Sequence, residues 1–180
     1  MVYVLLENGF EMCEALSPVD ILRRGGVEVK TVGVSGGEIK SSHGVCVKTD
    51  AVLSDISIDD TEMLIIPGGQ PGVDNLWTDT RVRTLIEKVY AKNIPISAIC
   101  AAPIILARLG ILDGKRCVCY PSCREELARA VFMENTGVAE DRQIITARAA
   151  GDAVDFSLAV LKKLRGERER NRVAESICYE

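Results

Sequence analysis

Short apolar runs alternate with longer stretches of helical period along most of the chain, and few folds accommodate that order. VYVLL is followed by CEALSPVDILRRGG and VEVKTVGV, and later EMLIIPGG is followed by RVRTLIEKVYAKN and ISAIC. Strand, helix, strand is the βαβ pattern of a parallel sheet. With 47% hydrophobic but only 4% aromatic residues, the core must be built from Val, Ile, Leu and Ala, which suit strands packed between helices. The expected fold class is α/β with a mostly parallel sheet. At 180 residues one domain, 1–180, is expected.

Local signals fill in the elements. In the first helical stretch Leu16, Val19, Ile21 and Leu22 approximate one face, Arg23 and Arg24 favour the C-terminal end, and Gly25-Gly26 supply the stop. Between Gly36 and Ser54 two short alternating runs flank Ser42-His43-Gly44, which predicts a small antiparallel insertion carrying the only histidine. After Cys100 a helix starts at Pro103 and ends near Gly110. KRCVCY then reads as a strand and SCREELARAVF as a helix capped by Ser122. QIITARAAGDAVDFSLAVLKKLRG is a strand and then a helix with Val154, Leu158, Val160 and Leu161 on its apolar side. Residues 166–180 alternate charge signs densely, as a solvated helix or a frayed tail does.

Charge and cysteine usage narrow the function classes. A net charge of −4 and no basic, aromatic-interleaved stretch argue against nucleic acid as a partner. The start, MVYVLLENG, lacks a basic n-region and turns polar too soon for a signal peptide or a membrane span. Seven cysteines, an odd number, in a chain able to form a full core fit a reducing compartment, so a cytoplasmic protein with mostly free thiols is expected.

Three unusual stretches fall at the carboxyl ends of strands, where ligands collect in open parallel sheets. The first, Glu7 to Glu14, sets carboxylates in a loop and at a helix start, with Glu14 nearest the helix. The second, Pro67-Gly68-Gly69-Gln70-Pro71-Gly72, pairs glycines that permit positive φ and leave backbone N–H groups unobstructed. The third is Cys100, between ISAI and the helix at Pro103, where unsatisfied helix N–H groups favour thiolate over thiol. A single cysteine is more often a small buried hydrophobe. Its convergence with a glycine turn and a carboxylate loop favours a nucleophile.

ENGFEMCEALSPVDILRRGG, IIPGGQPG, AICAAP and TARAAGDAVDFSLAVL together resemble the ThiJ/PfpI superfamily over nearly the whole chain, in particular the branch of the parkinsonism-associated protein deglycase and its bacterial relatives. The resemblance implies a flavodoxin-like three-layer sandwich and a homodimer. It makes Cys100 the reactive residue, Glu14 the carboxyl that hydrogen-bonds its sulfur, and the Gly69 and Ala101 N–H groups oxyanion donors. That arrangement requires a protonated Glu14 donating to sulfur, since two charges there would raise both pKa values. The same geometry would hold a sulfinate.

The sequence departs from its relatives at one informative place. Relatives with deglycase or glyoxalase activity commonly carry histidine where Tyr120 stands, and tyrosine is a poor base near neutrality. His43 falls where that branch often has an arginine reaching the partner subunit's site, so it serves either in trans or as a polar turn residue. Ala101 in place of a histidine after the elbow cysteine argues against the protease branch.

Cys117-Val118-Cys119 with Cys123 lacks a fourth metal ligand and the usual zinc spacing, so no metal is expected. Cys119 or Cys123, or else Cys13 beside Glu14, is a candidate partner for a disulfide with an oxidised Cys100. Cys46 and Cys178 earn no role, and Arg148 either lines an anionic pocket or pairs with Asp152 or Asp155.

Two functions remain open from the sequence. One is a cofactor-independent enzyme acting on a small dicarbonyl such as methylglyoxal, or on its protein adduct. The other is a non-enzymatic oxidative-stress sensor or chaperone that forms sulfinate at Cys100. An older thiamine-biosynthesis association of the superfamily finds no phosphate-binding pattern here.

Overall fold

A computed structural model describes residues 1–179. In chain order the elements are β1 (Val2–Leu6), α1 (Met12–Arg24), β2 (Val29–Gly33), β3 (Glu38–Lys40), β4 (Cys46–Lys48), β5 (Ala51–Val52) and β6 (Met63–Ile66). There follow α2 (Gly72–Thr78), α3 (Thr80–Ala91), β7 (Ile96–Ile99), α4 (Pro103–Arg108), β8 (Arg116–Cys117) and β9 (Val131–Phe132). The chain continues through β10 (Val138–Asp141), β11 (Ile144–Ala147), α5 (Ala153–Arg165) and α6 (Glu167–Ser176).

Seven strands form the main sheet in the order β10-β11-β7-β6-β1-β2-β5. All neighbours are parallel except β10 and β11. Every residue of β1, β6, β7 and β11 is buried, as expected of strands covered on both faces. Side chains alternate between two apolar layers. Tyr3, Leu5, Leu64, Ile66, Ile96 and Ala98 pack with residues of α2, α3 and α4. Val4, Leu6, Ile65, Ile99, Ile145 and Ala147 pack with α1, α5 and α6. The result is the expected three-layer sandwich, and β3 and β4 are the expected antiparallel insertion.

Helix α1 is capped as its sequence specifies: the Glu11 side chain accepts the Glu14 N–H, and the Gly25 N–H closes on Ile21. Leu16 is half-buried, and Glu14, Ala15 and Pro18 join Val19, Ile21 and Leu22 on the buried face.

Two expected elements differ. KRCVCY contributes only Arg116–Cys117 as strand, paired with β9 outside the main sheet. The helix expected after Ser122 is a short 3₁₀ segment, Pro121–Leu127, preceded by Tyr120 rather than capped by Ser122. Of its residues Leu127 alone is fully buried, so no apolar stripe holds a longer α-helix in place. The charged C-terminal stretch is a helix, α6, rather than a frayed tail, because Val173 and Ala174 are buried with the residues of α1 and α5.

Candidate active site

The three strand ends singled out in the sequence meet. The Glu11 N–H donates to the Gly68 carbonyl at 2.9 Å, joining the loop after β1 to the turn after β6. The Cys100 N–H donates to the Ala147 carbonyl at 2.9 Å, and the Tyr120 N–H donates to the Cys100 carbonyl at 2.8 Å. Those two bonds fix the backbone of the cysteine between β11 and the segment after β8.

Cys100 has φ +67°, a left-handed conformation that residues with a Cβ rarely adopt. Such a conformation costs about 1–3 kcal/mol and persists where surrounding contacts enforce it, often at functional sites. Here the chain leaves β7 and closes a tight turn through the Ala102 N–H to the Ile99 carbonyl before Pro103 opens α4. This strand-to-helix turn is the geometry of a nucleophile elbow.

Glu14 stands in the first turn of α1 and is 1% exposed. Its Oε2 accepts the Gly68 N–H at 2.9 Å, while Oε1 is buried with no hydrogen-bond partner among the described residues. A Cβ added to Gly68 would lie 2.6 Å from Glu14 Oε2 and 2.7 Å from Cys100 Cβ, so only glycine lets the acid and the cysteine come this close. At Gly69, φ +96° is likewise glycine's, and a Cβ there would collide with the backbone of Gly9, Phe10 and Glu11.

Burial pushes the Glu14 carboxyl up to about 7, against the pull of Cys100 and the Gly68 N–H. Burial, then the charge of Glu14, pushes the Cys100 thiol up to about 12, and the Ala101 and Gly69 N–H groups pull it down. The sequence predicts a thiolate favoured by amides, but removal of the sulfur from water outweighs two N–H donors. The two groups titrate as a pair: one proton leaves near neutrality, and the second is held far above it. As pH rises through about 7, the pair therefore comes to carry one negative charge.

Cys100, Glu14, Gly69 and Ala101 are thus brought together. Tyr120 abuts the elbow through its backbone, whereas its side chain is 46% exposed and its hydroxyl is unpartnered among the described residues. His43 is exposed on the β3–β4 turn, with Nδ1 3.1 Å from Ser42 Oγ. That turn is tied to the carboxylate loop by the Ser42 N–H to the Phe10 carbonyl, but His43 makes no hydrogen bond to Cys100 or Glu14. Arg148 is held by Asp152 at 3.0 and 3.1 Å.

All seven thiols are free. Cys13 is exposed beside Glu11. Cys119 is buried in the layer of α4, next to Tyr120, whose N–H reaches the Cys100 carbonyl, while Cys123 is half-buried. Among the described residues no three His, Cys, Asp or Glu side chains are placed to hold a metal. Gly68 and the Glu11 cap were not singled out as site residues from sequence. The PGG turn marks the former, and an acid three residues before Glu14 marks the latter.

The DJ-1/PfpI family model matches residues 1–163. The chain belongs to the DJ-1/PfpI family. It is 32% identical to the Drosophila melanogaster protein dj-1beta over 176 residues, 97% of this chain and 94% of the relative. The crystal structure of that Drosophila protein superposes with a TM-score of 0.95, covering 99% of this chain and 97% of its own. A Caenorhabditis elegans family member named glutathione-independent glyoxalase DJR-1.2 is 28% identical over 170 residues, 93% of this chain and 90% of the relative. A structure titled Toxoplasma gondii DJ-1, oxidized, is 28% identical with a TM-score of 0.91, covering 99% of this chain and 97% of its own. The flavodoxin-like fold expected from the motifs is therefore the fold of this family. No helix among the described residues is long and apolar enough to cross a membrane.

Proposed function

We propose that this member of the DJ-1/PfpI family is a cysteine-dependent enzyme that converts small reactive dicarbonyls, or their protein adducts, to hydroxyacids without a metal or organic cofactor. The observation that carries the reading is the juxtaposition of Cys100, at a left-handed elbow, with a buried carboxyl whose Oε1 has no hydrogen-bond partner among the described residues. The C. elegans relative named as a glyoxalase supports it.

With methylglyoxal, the Cys100 sulfur adds to the aldehyde carbon and the new oxyanion takes the proton that the pair holds, giving a hemithioacetal. Glu14 removes the hydrogen from that carbon as a proton and returns a proton to the neighbouring carbon through an enediol, leaving a lactoyl thioester. Water hydrolyses the thioester to lactate and restores the thiol. No electrons enter or leave. The Gly69 and Ala101 N–H groups face the developing oxyanion, a contribution of about 3–4 kcal/mol per donor in comparable sites. Lactate release from methylglyoxal by metal-free protein, abolished in Cys100→Ser, is the test; no turnover in the wild type overturns the reading.

A second reading is favoured by Tyr120 standing where a neutral-pH base would be, and by the relative crystallised in an oxidised form. In it, hydrogen peroxide converts Cys100 to sulfinate, whose oxygens take hydrogen bonds from a protonated Glu14 and the two amides. The protein then works as a stress sensor. In either reading it acts as a cytoplasmic homodimer, and His43 on the exposed hairpin serves either in trans at the partner subunit's elbow or as a polar turn residue.

A further inference from the structure

A cavity of about 430 Å³ lies beside β5, the edge strand of the main sheet, between the loop that follows it and one face of α3. None of its lining residues belongs to the loops around Cys100. On the loop side Leu53, Ile56 and Ile58 are half-buried and pack onto the apolar layer of α3. Local bonds shape that wall: the Ile56 N–H donates to the Leu53 carbonyl, and Thr61 Oγ1 donates to the Ser57 carbonyl at 2.7 Å.

The helix side is different. α3 buries Val82, Leu85, Ile86 and Val89, but positions 80, 84 and 88 repeat at the i, i+4 spacing that stacks side chains on one face, and they carry Thr, Thr and Lys. Two short hydroxyl side chains and one long cation thus face an apolar wall, where larger apolar side chains would fill the space.

These polar groups are uncommitted. Thr80, Thr84 and Lys88 have no side-chain hydrogen bond or ion pair among the described residues. Arg81 also lines the cavity, but Asp79 holds it at 2.6 Å. Although the chain carries a net charge of −4, no acid lines this cavity. In the loop, Asp55 accepts the Val52 N–H at 3.0 Å and Asp59 pairs with Lys92. An apolar cavity of this size with a few convergent polar groups is the form that small-molecule sites take. One free cation beside an apolar wall is complementary to a ligand with one negative charge and a hydrocarbon tail.

We propose that this cavity binds the free anion of a medium-chain aliphatic carboxylic acid. The tail lies against Leu53, Ile56, Ile58 and Leu85, the carboxylate meets Lys88 Nζ, and the Thr84 hydroxyl donates to it. The volume admits one chain rather than a two-chain lipid, and a single free cation suits a carboxylate better than a doubly charged phosphate monoester. The site does not depend on the reaction proposed for Cys100.

Calorimetric titration with sodium octanoate at low ionic strength tests the proposal. Wild type and Cys100→Ser should bind saturably and equally. Lys88→Glu should weaken binding at least about tenfold, whereas Lys88→Arg, which keeps the charge, should stay within about threefold of wild type. Lys88 is exposed, so both variants should melt as wild type does. Octan-1-ol should bind more weakly than octanoate and equally to wild type and Lys88→Glu. From butanoate to octanoate each methylene that enters the cavity should tighten binding by up to about fourfold. Amide shifts in NMR spectra should centre on residues 53–58 and 80–88. No saturable binding to wild type, undiminished binding to Lys88→Glu, or shifts centred on Cys100 overturns the proposal.

Discussion

Glu14 Oε2 accepts the Gly68 N–H at 2.9 Å, which turns the acid toward the sulfur and fills the space that a side chain on Gly68 would need. Gly68→Ala places a methyl group between carboxyl and cysteine. Overpacking of this kind costs about 1–3 kcal/mol. Denaturant melting of Gly68→Ala should show that loss, and methylglyoxal turnover should fall at least tenfold because the pair is pushed apart. An alanine variant with wild-type stability and turnover would show that the close approach is dispensable.

The rate should follow the first proton of the Glu14–Cys100 pair. With Glu14 pushed up to about 7 by burial, kcat/KM for methylglyoxal should rise with pH through about 7 and level off above it, as the singly ionised pair accumulates. Glu14→Gln removes the carboxyl that takes up the first charge. Its residual activity should rise only at alkaline pH, where the thiol itself ionises. A variant profile that still turns near 7 would assign the titration to another group.

Selective oxidation has its own signature. Intact-mass measurement after mild peroxide should find two oxygens on Cys100, and Glu14→Leu should block that addition, because the sulfinate then loses the acid that donates to it. Equal addition of oxygens to Cys13, Cys46 and Cys178, which are exposed, would count against a directed site.

Much of this was legible in the sequence, because the signals were periodic or conformational. The alternation of apolar runs and helical stretches dictated the parallel sheet, and the proline after AICAA marked the start of α4. The meeting of the Glu14 loop, the glycine turn after β6 and Cys100 followed from three strand ends of one sheet, whereas Gly69 and Ala101 as donors came with the family resemblance. What could not be read is set by tertiary burial. Whether SCREEL becomes α or 3₁₀ depends on how much of it finds a core, and here only Leu127 does. The thiol's upward shift reflects desolvation, a property of the packed site that the amides at the elbow could not reveal.

Tyr120 should act through its backbone. Its N–H holds the Cys100 carbonyl at 2.8 Å, whereas its exposed hydroxyl has no partner among the described residues. Tyr120→Phe should therefore keep kcat/KM within about twofold, an energy change of less than about 0.5 kcal/mol. A tenfold loss would give the hydroxyl a direct part in the chemistry.

Glu14 should also make the fold pH-sensitive, with a sign opposite to that of a salt-bridged carboxylate. Its ordinary value of 4.5 applies to the unfolded chain, and burial raises it to about 7 in the folded one. Between those values the folded state binds more protons, so stability falls as pH rises. The contribution is fully present below about 4.5 and is lost as pH passes about 7, amounting to up to about 3 kcal/mol at the conversion of 1.36 kcal/mol per pKa unit. Glu14→Gln removes this slope while keeping an acceptor for the Gly68 N–H. The difference in unfolding free energy between wild type and variant, followed by urea melts from pH 5 to 8, should move in favour of the variant as pH rises and flatten above about 7. A difference that stays constant over that range would mean that Glu14 is ionised in the folded protein throughout.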